Sequence, residues 1–140
     1  MSEELEQGTQ ALLDFRKLKK VAQVKSDVVP VVVQDVDSKE VLILAYANRI
    51  ALKHSLENGT AAFWSTSRNK LWVKGLESGN SLELIEVRVN CEQNSLLYLV
   101  RRRQGGACHV KKNDGSYQTS CYYRRMIGKE IDQLEFIEEE

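Results

Sequence analysis

The chain is punctuated at short intervals: brief runs of β-forming residues are each closed by a turn signal, a pattern that a long-helix bundle cannot accommodate. Val28 to Val33 is β-branched, Val41 to Tyr46 is a second such run, and the polar Asp37-Ser38-Lys39 between them predicts a hairpin. Pro30 has no amide hydrogen, so the first strand is expected to start near it or to put it where no partner needs that donor. Asn48 is the expected N-cap of a helix containing Ile50, Ala51 and Leu56, with Asn58-Gly59 as its stop. Ala61 to Trp64 and Leu71 to Lys74 flank a polar turn from Ser65 to Lys70. Leu82, Leu84, Val87 and Val89 interleave with Glu83, Glu86 and Arg88, as a half-buried strand requires. Ser95 to Val100 and Cys121 to Arg125 are the remaining expected strands, and Lys111 to Thr119 reads as a polar loop around Asn113-Asp114-Gly115.

The ends differ from this middle. Residues 1–27 are mostly polar, with one apolar cluster at Leu12, Leu13, Phe15 and Leu18 that predicts a short amphipathic helix, and 128–140 form an acidic tail. The expected organisation is therefore an N-terminal helical extension (1–27), one domain (28–127) and the tail (128–140). The fold class is α+β, mainly β.

Composition limits function. Twenty basic and twenty acidic residues give zero net charge, which argues against a nucleic-acid or anionic-membrane partner. Arg101-Arg102-Arg103 alone does not make a nucleic-acid site and reads as a strand end with solvated or subunit-pairing charges. No apolar run approaches the roughly 20 residues that cross a bilayer, and the acidic Met1-Ser2-Glu3-Glu4 opening is unlike a basic signal peptide, so a cytoplasmic location is expected. Three cysteines, an odd number, fit reduced thiols better than a disulfide framework.

Cys91, Cys108 and Cys121 fall at predicted strand ends or in loops. Two readings stand side by side: inert buried thiols, or soft ligands selecting zinc and leaving a fourth position for water, whose pKa the metal lowers toward 7. No Cys-x-x-Cys pair supports a zinc finger. His109 is open to three roles: a fourth ligand, a general base, or a turn cap. His54 lies on the predicted helix and stays outside the site. Ser65, Ser67, Arg68, Lys70 and Lys74, bracketed by Trp64 and Trp72, put hydroxyls and cations on one turn, and Ser78-Gly79-Asn80 adds backbone donors. That set suits a phosphate monoester, while a solvated hairpin with core tryptophans explains it equally well.

The ordered combination Val41-Leu42-Ile43-Leu44-Ala45-Tyr46-Ala47-Asn48, Phe63-Trp64-Ser65-Thr66-Ser67-Arg68, Leu71-Trp72-Val73-Lys74-Gly75 with Ser78-Gly79, and Ala107-Cys108-His109 ending in Ser120-Cys121-Tyr122 resembles the phosphoribosyl-AMP cyclohydrolase family. The resemblance runs from about Val29 to about Arg125. It implies a twisted mixed sheet or pseudobarrel with flanking helices, active as an intertwined homodimer with shared sites. It also implies hydrolysis of the adenine N1–C6 bond of phosphoribosyl-AMP in histidine biosynthesis. By the same resemblance, Cys91 of one subunit and Cys108 with Cys121 of the other hold zinc, and His109 shuttles a proton. Trp64, Ser65, Ser67, Arg68, Lys74, Ser78 and Gly79 bind the substrate.

Some positions depart from the family pattern. Its magnesium-binding acidic run reads Asn90-Cys91-Glu92-Gln93-Asn94 here, so two of three carboxylates are amides and the implied magnesium site at Asn90, Glu92 and Asn94 is weakened. Thr66 replaces an arginine and Glu77 a threonine near the expected phosphate. The Cys108–Cys121 stretch is longer than the family's, a length that a polar loop absorbs at small entropic cost. Two alternatives follow from these departures: a paralogue acting on another purine or phosphoribosyl nucleotide, and a non-catalytic zinc-stabilised dimer that binds a nucleotide.

Overall fold

The computed structural model describes residues 3–76 and 78–138. Strands β1 (Val29–Asp35), β2 (Val41–Ala47), β5 (Leu82–Val89) and β6 (Leu96–Arg102) form a four-stranded sheet in the order β2-β1-β6-β5. The expected hairpin is there: β1 and β2 pair antiparallel, with Val32 opposite Leu44. β1 also runs parallel to β6 in a register that begins at Val31, so Pro30 lies just before the ladder that would have needed its donor. The sheet is mixed and open, with β2 and β5 at its edges. The pseudobarrel expectation is thus corrected: strand pairing stops at those edges, and no closed barrel forms among the described residues.

Helix α3 (Arg49–Asn58) starts where the cap predicts, with the Asn48 side chain accepting from the Ala51 amide, and stops at Gly59, whose left-handed backbone (φ 64°) suits glycine. Ile50 and Leu56 are exposed, while Ala51 and Ser55 face the interior. The Ser55 hydroxyl donates to the Ala51 carbonyl and accepts from the Ala62 amide at 2.9 Å, which fixes α3 on the hairpin of β3 (Ala62–Ser65) and β4 (Lys70–Val73). The core lies between: Val31, Val33, Leu42, Phe63, Leu82, Tyr98 and Val100 are fully or almost fully buried, and the Phe63 ring stacks on Tyr98 at 5.7 Å. Burying such side chains is the principal stabilising contribution, roughly 1.5–3 kcal/mol for each large apolar group.

Three other expectations need correction. β6 continues through Arg101 and Arg102, which stay paired with Glu83 and Leu82 of β5, and both side chains find carboxylates: Arg101 reaches Asp37 and Glu83, and Arg102 reaches Asp35. Of the segment from Cys121 to Arg125, only the end joins strand β7 (Arg124–Met126), since the backbone of Cys121 and Tyr122 is engaged by Leu42 and Ser120. The apolar cluster near the N-terminus forms no single helix. Instead α1 (Glu3–Gln7) and α2 (Lys17–Ala22) stand apart, leaving Leu12, Leu13 and Phe15 exposed. The chain between them pairs elsewhere, with Gln10 bridging Gln133 and the Ala11 amide donating to the Asp132 carbonyl at 2.8 Å. Strand β8 (Leu134–Phe136) lies beside that segment and pairs with β7, so the two chain ends fold against each other. Met1, Ser2, Glu139 and Glu140, from the acidic opening and tail, are outside the described residues.

Candidate active site

Cys108 and Cys121 are separated by twelve residues, yet their thiols meet. The polar loop between them doubles back on itself. The Ala107 and Cys108 amides donate to the Thr119 and Gln118 carbonyls, the Gln118 amide donates to the Val110 carbonyl, and Lys111 bridges Tyr117. This pairing is tight at Gly106, where a Cβ would sit 2.0 Å from the Gln118 carbonyl oxygen. Past the loop, the Ser120 hydroxyl donates to the Val41 carbonyl at 2.7 Å and the Cys121 amide to the Leu42 carbonyl at 2.8 Å, which ties the second cysteine to the edge strand β2.

The two thiols are electrostatically unequal. The hydrogen bond donated by Cys121, followed by that of the Val110 amide and the nearby His109, holds the Cys108 thiol down at about 6, against the opposing effects of burial and Glu6. Cys121 is pushed up because it is the donor of that bond and is partly desolvated. Cys108 is thus poised as a thiolate near neutral pH, the form that binds soft metals.

Lys74 stands close to both sulfurs. It is 5% exposed, and its Nζ donates to the Asn80 carbonyl at 3.3 Å. Burial lowers its pKa, while the neighbouring cysteines favour its charged form. Beside it lies a cleft of about 320 Å³ that brings together Arg68, Trp72, Lys74, Ser78 and His109. Gly75 closes this wall: its φ is 81°, and a Cβ there would lie 2.1 Å from the Ser81 amide.

The remaining expected residues fall around rather than inside this cleft. Trp64 donates its indole N–H to Asn69, and Ser65 pairs with Ser67 and accepts from the Arg68 amide, so these groups shape the β3–β4 turn. Gly79 donates its amide to the Gly75 carbonyl, and Ser78 accepts from Asn80. Glu77 is outside the described residues. Asn80 reads in the sequence only as part of a turn, but its side-chain nitrogen is buried without a partner among the described residues, beside the carbonyl that holds Lys74.

Cys91 is exposed in the turn joining β5 to β6, at the opposite edge of the sheet from β2. Among the described residues of a single chain, no three His, Cys, Asp or Glu side chains gather closely enough to hold a metal ion. Around Cys91, Asn90 Oδ1 accepts from the Asn94 and Ser95 amides, Asn94 Oδ1 accepts from Asn90, and Glu92 accepts from Asn94. This loop offers one carboxylate, and its amide oxygens serve the turn, a poor match to the hard anionic donors magnesium favours. Zinc fits better with the Cys108–Cys121 pair, which supplies soft donors with one thiol already inclined to ionise.

A basic cleft beside paired thiols on a small α+β scaffold defines a compact protein suited to anionic ligands and soft-metal chemistry. Sequence comparison makes this specific. The phosphoribosyl-AMP cyclohydrolase family profile matches residues 43–123, and the chain belongs to that family. A phosphoribosyl-AMP cyclohydrolase of Archaeoglobus fulgidus is 50% identical over 103 residues, covering 74% of this chain and 89% of the relative. One from Methanosarcina mazei is 42% identical over 125 residues, covering 89% and 95%. The histidine biosynthesis bifunctional protein HisIE of Aquifex aeolicus is 38% identical over 105 residues, 75% of this chain and 48% of that longer protein. Among the described residues no helix is long and apolar enough to cross a membrane.

Proposed function

We propose that the protein is a zinc-dependent homodimeric hydrolase that opens the adenine ring of phosphoribosyl-AMP, in the pathway to histidine. The observation that carries this reading is the Cys108–Cys121 pair with His109 and Lys74 at a cleft lined by Arg68 and Ser78, in a chain of this family. Arg68 and Ser78 bind phosphate oxygens, Trp72 offers an aromatic face to the purine, and Lys74 adds positive charge from a desolvated position. Hydrolysis adds the oxygen of water to C6 and breaks C6–N1. C6 becomes a carboxamide carbon and N1 leaves with a proton. His109 moves protons between water and N1. Zinc held by Cys108 and Cys121 with Cys91 of the partner subunit would supply the Lewis acidity that activates water.

Two features favour a dimer. A single chain leaves the thiol pair one ligand short of the three that a catalytic zinc site uses. The outer face of the sheet is also apolar: Val32 pairs laterally with Leu44 and Leu97, and a groove of about 430 Å³ runs from Val32 and Val41 to Val89 and Asn90, next to Cys91. Leu44 is 50% exposed in the single chain. A second copy covering this face would bury that row and supply the missing thiol.

Turnover of phosphoribosyl-AMP by the zinc-loaded protein, with sedimentation and metal content measured on the same sample, tests the proposal. Ring-opened product, a dimer and one zinc per subunit are expected. A monomer without zinc or product overturns it. Thermal stabilisation by a different purine nucleotide without turnover of phosphoribosyl-AMP would favour the divergent paralogue.

A further inference from the structure

Neither chain end falls within the span matched by the family profile, yet together they reach the site. The Arg124 guanidinium donates to the Leu5 and Gly8 carbonyls, both at 2.9 Å, holding the C-terminal end of α1. The Tyr123 hydroxyl donates to the Glu6 carbonyl. Beyond α1, the Leu134 amide donates to the Thr9 carbonyl at 2.7 Å, and the Tyr123 ring stacks on Phe136 at 6.0 Å. Backbone and side-chain bonds thus secure residue 6 from both sides. Its carboxylate is consequently aimed: Glu6 Oε2 lies 2.5 Å from His109 Nε2. The Glu6 side chain is 24% exposed and the His109 side chain 68%, so the carboxylate is half-buried while the ring remains open to solvent.

We propose that Glu6 is a positioning residue for His109 and that the clasp of the two chain ends exists, in functional terms, to deliver it. A carboxylate only accepts hydrogen bonds, so the ring must donate from Nε2, and in the neutral imidazole Nδ1 then carries the lone pair. One carboxylate therefore fixes both the orientation of the ring and the nitrogen that accepts a proton. The catalytic consequence rests on the hydrolase reading above, whereas the tautomer does not.

The chain has two histidines, so ring nitrogen shifts of the ¹⁵N-labelled, zinc-loaded protein can be assigned with a His54→Gln variant. Expected is an Nε2-protonated His109 in the parent protein, a mixture of tautomers in Glu6→Ala, and at least partial recovery of the parent pattern in Glu6→Asp. In turnover, Glu6→Ala should lower kcat by about tenfold to a hundredfold, the usual cost of losing a partner that orients a catalytic imidazole, with little change in KM. The same His109 tautomer in the parent and Glu6→Ala proteins, or a loss confined to KM, overturns the assignment. A parent protein inactive on phosphoribosyl-AMP overturns the activity reading alone, because the ring shifts still decide what Glu6 does.

Discussion

The sheet and the clasp are built by different physics. In the sheet, Val31, Val33, Leu42, Phe63 and Tyr98 exclude water from a contiguous core that draws on strands from β1 to β6. In the clasp, Phe15, Leu18 and Ile131 remain exposed, and the ends are joined by hydrogen bonds from Arg124, Tyr123 and Leu134 to residues more than a hundred positions away. Apolar burial thus holds the scaffold, while polar contacts arrange the groups around His109. A scaffold of the first kind spreads its stability over many small contacts. An arrangement of the second kind responds to single donors and acceptors.

This contrast can be broken most directly at the thiols. Cys108→Ser should leave the fold intact yet remove zinc and lower turnover by more than the roughly hundredfold cost of losing an outer partner of a metal ligand. Metal analysis and circular dichroism on the same sample check this, and a collapsed fold would show that the thiol pair belongs to the scaffold. Phe63→Ala should act in the opposite way, costing about 3–5 kcal/mol of stability by urea unfolding, because its ring packs on both Trp72 and Tyr98. Ser55→Ala leaves the Ala62 amide without its acceptor and should cost about 1–3 kcal/mol, again in global stability. Arg124→Ala should cost only about 1 kcal/mol, since its bonds are partly exposed, but should speed proteolysis near residues 8–11 while the sheet amides stay protected from hydrogen exchange.

The last test concerns pH dependence. In metal-free protein, Cys108 ionises at about 6 when folded and near 9 when unfolded, so the unfolded chain binds more protons within that window. Stability should therefore rise from pH 6 toward 9 and be lost as pH falls through 6. Lys74, lowered by burial, has the same sign, and the raised Cys121 opposes only above the ordinary thiol range. Urea midpoints across this range, with Cys108→Ala giving a flatter profile, check the sign.

Much of the scaffold was legible in sequence because its signals are local. The Asp37-Ser38-Lys39 turn, the Asn48 cap and the period-two alternation after Leu82 each act within a few residues of where they are written. The cleft was partly legible for the same reason, since Arg68, Lys74 and Ser78 lie on consecutive turns. Glu6 was not. Glu3, Glu4 and Glu6 lie in a stretch whose sequence marks it only as polar, and only pairing across almost the whole chain puts one of them on His109. The open sheet was likewise hidden, because the parallel contact between β1 and β6 depends on which strands meet rather than on the pattern within either.

The doubled-back loop between the two site cysteines separates chain length from chemistry. Its base is zipped from Ala107 to Thr119, while its tip turns at Gly115, where nothing among the described residues lies within 4 Å of an added Cβ. Residues inserted there would lengthen an excursion into solvent without shifting either sulfur. The tip is thus a neutral zone for evolutionary drift, and a natural place to graft a fluorescent reporter or an affinity handle.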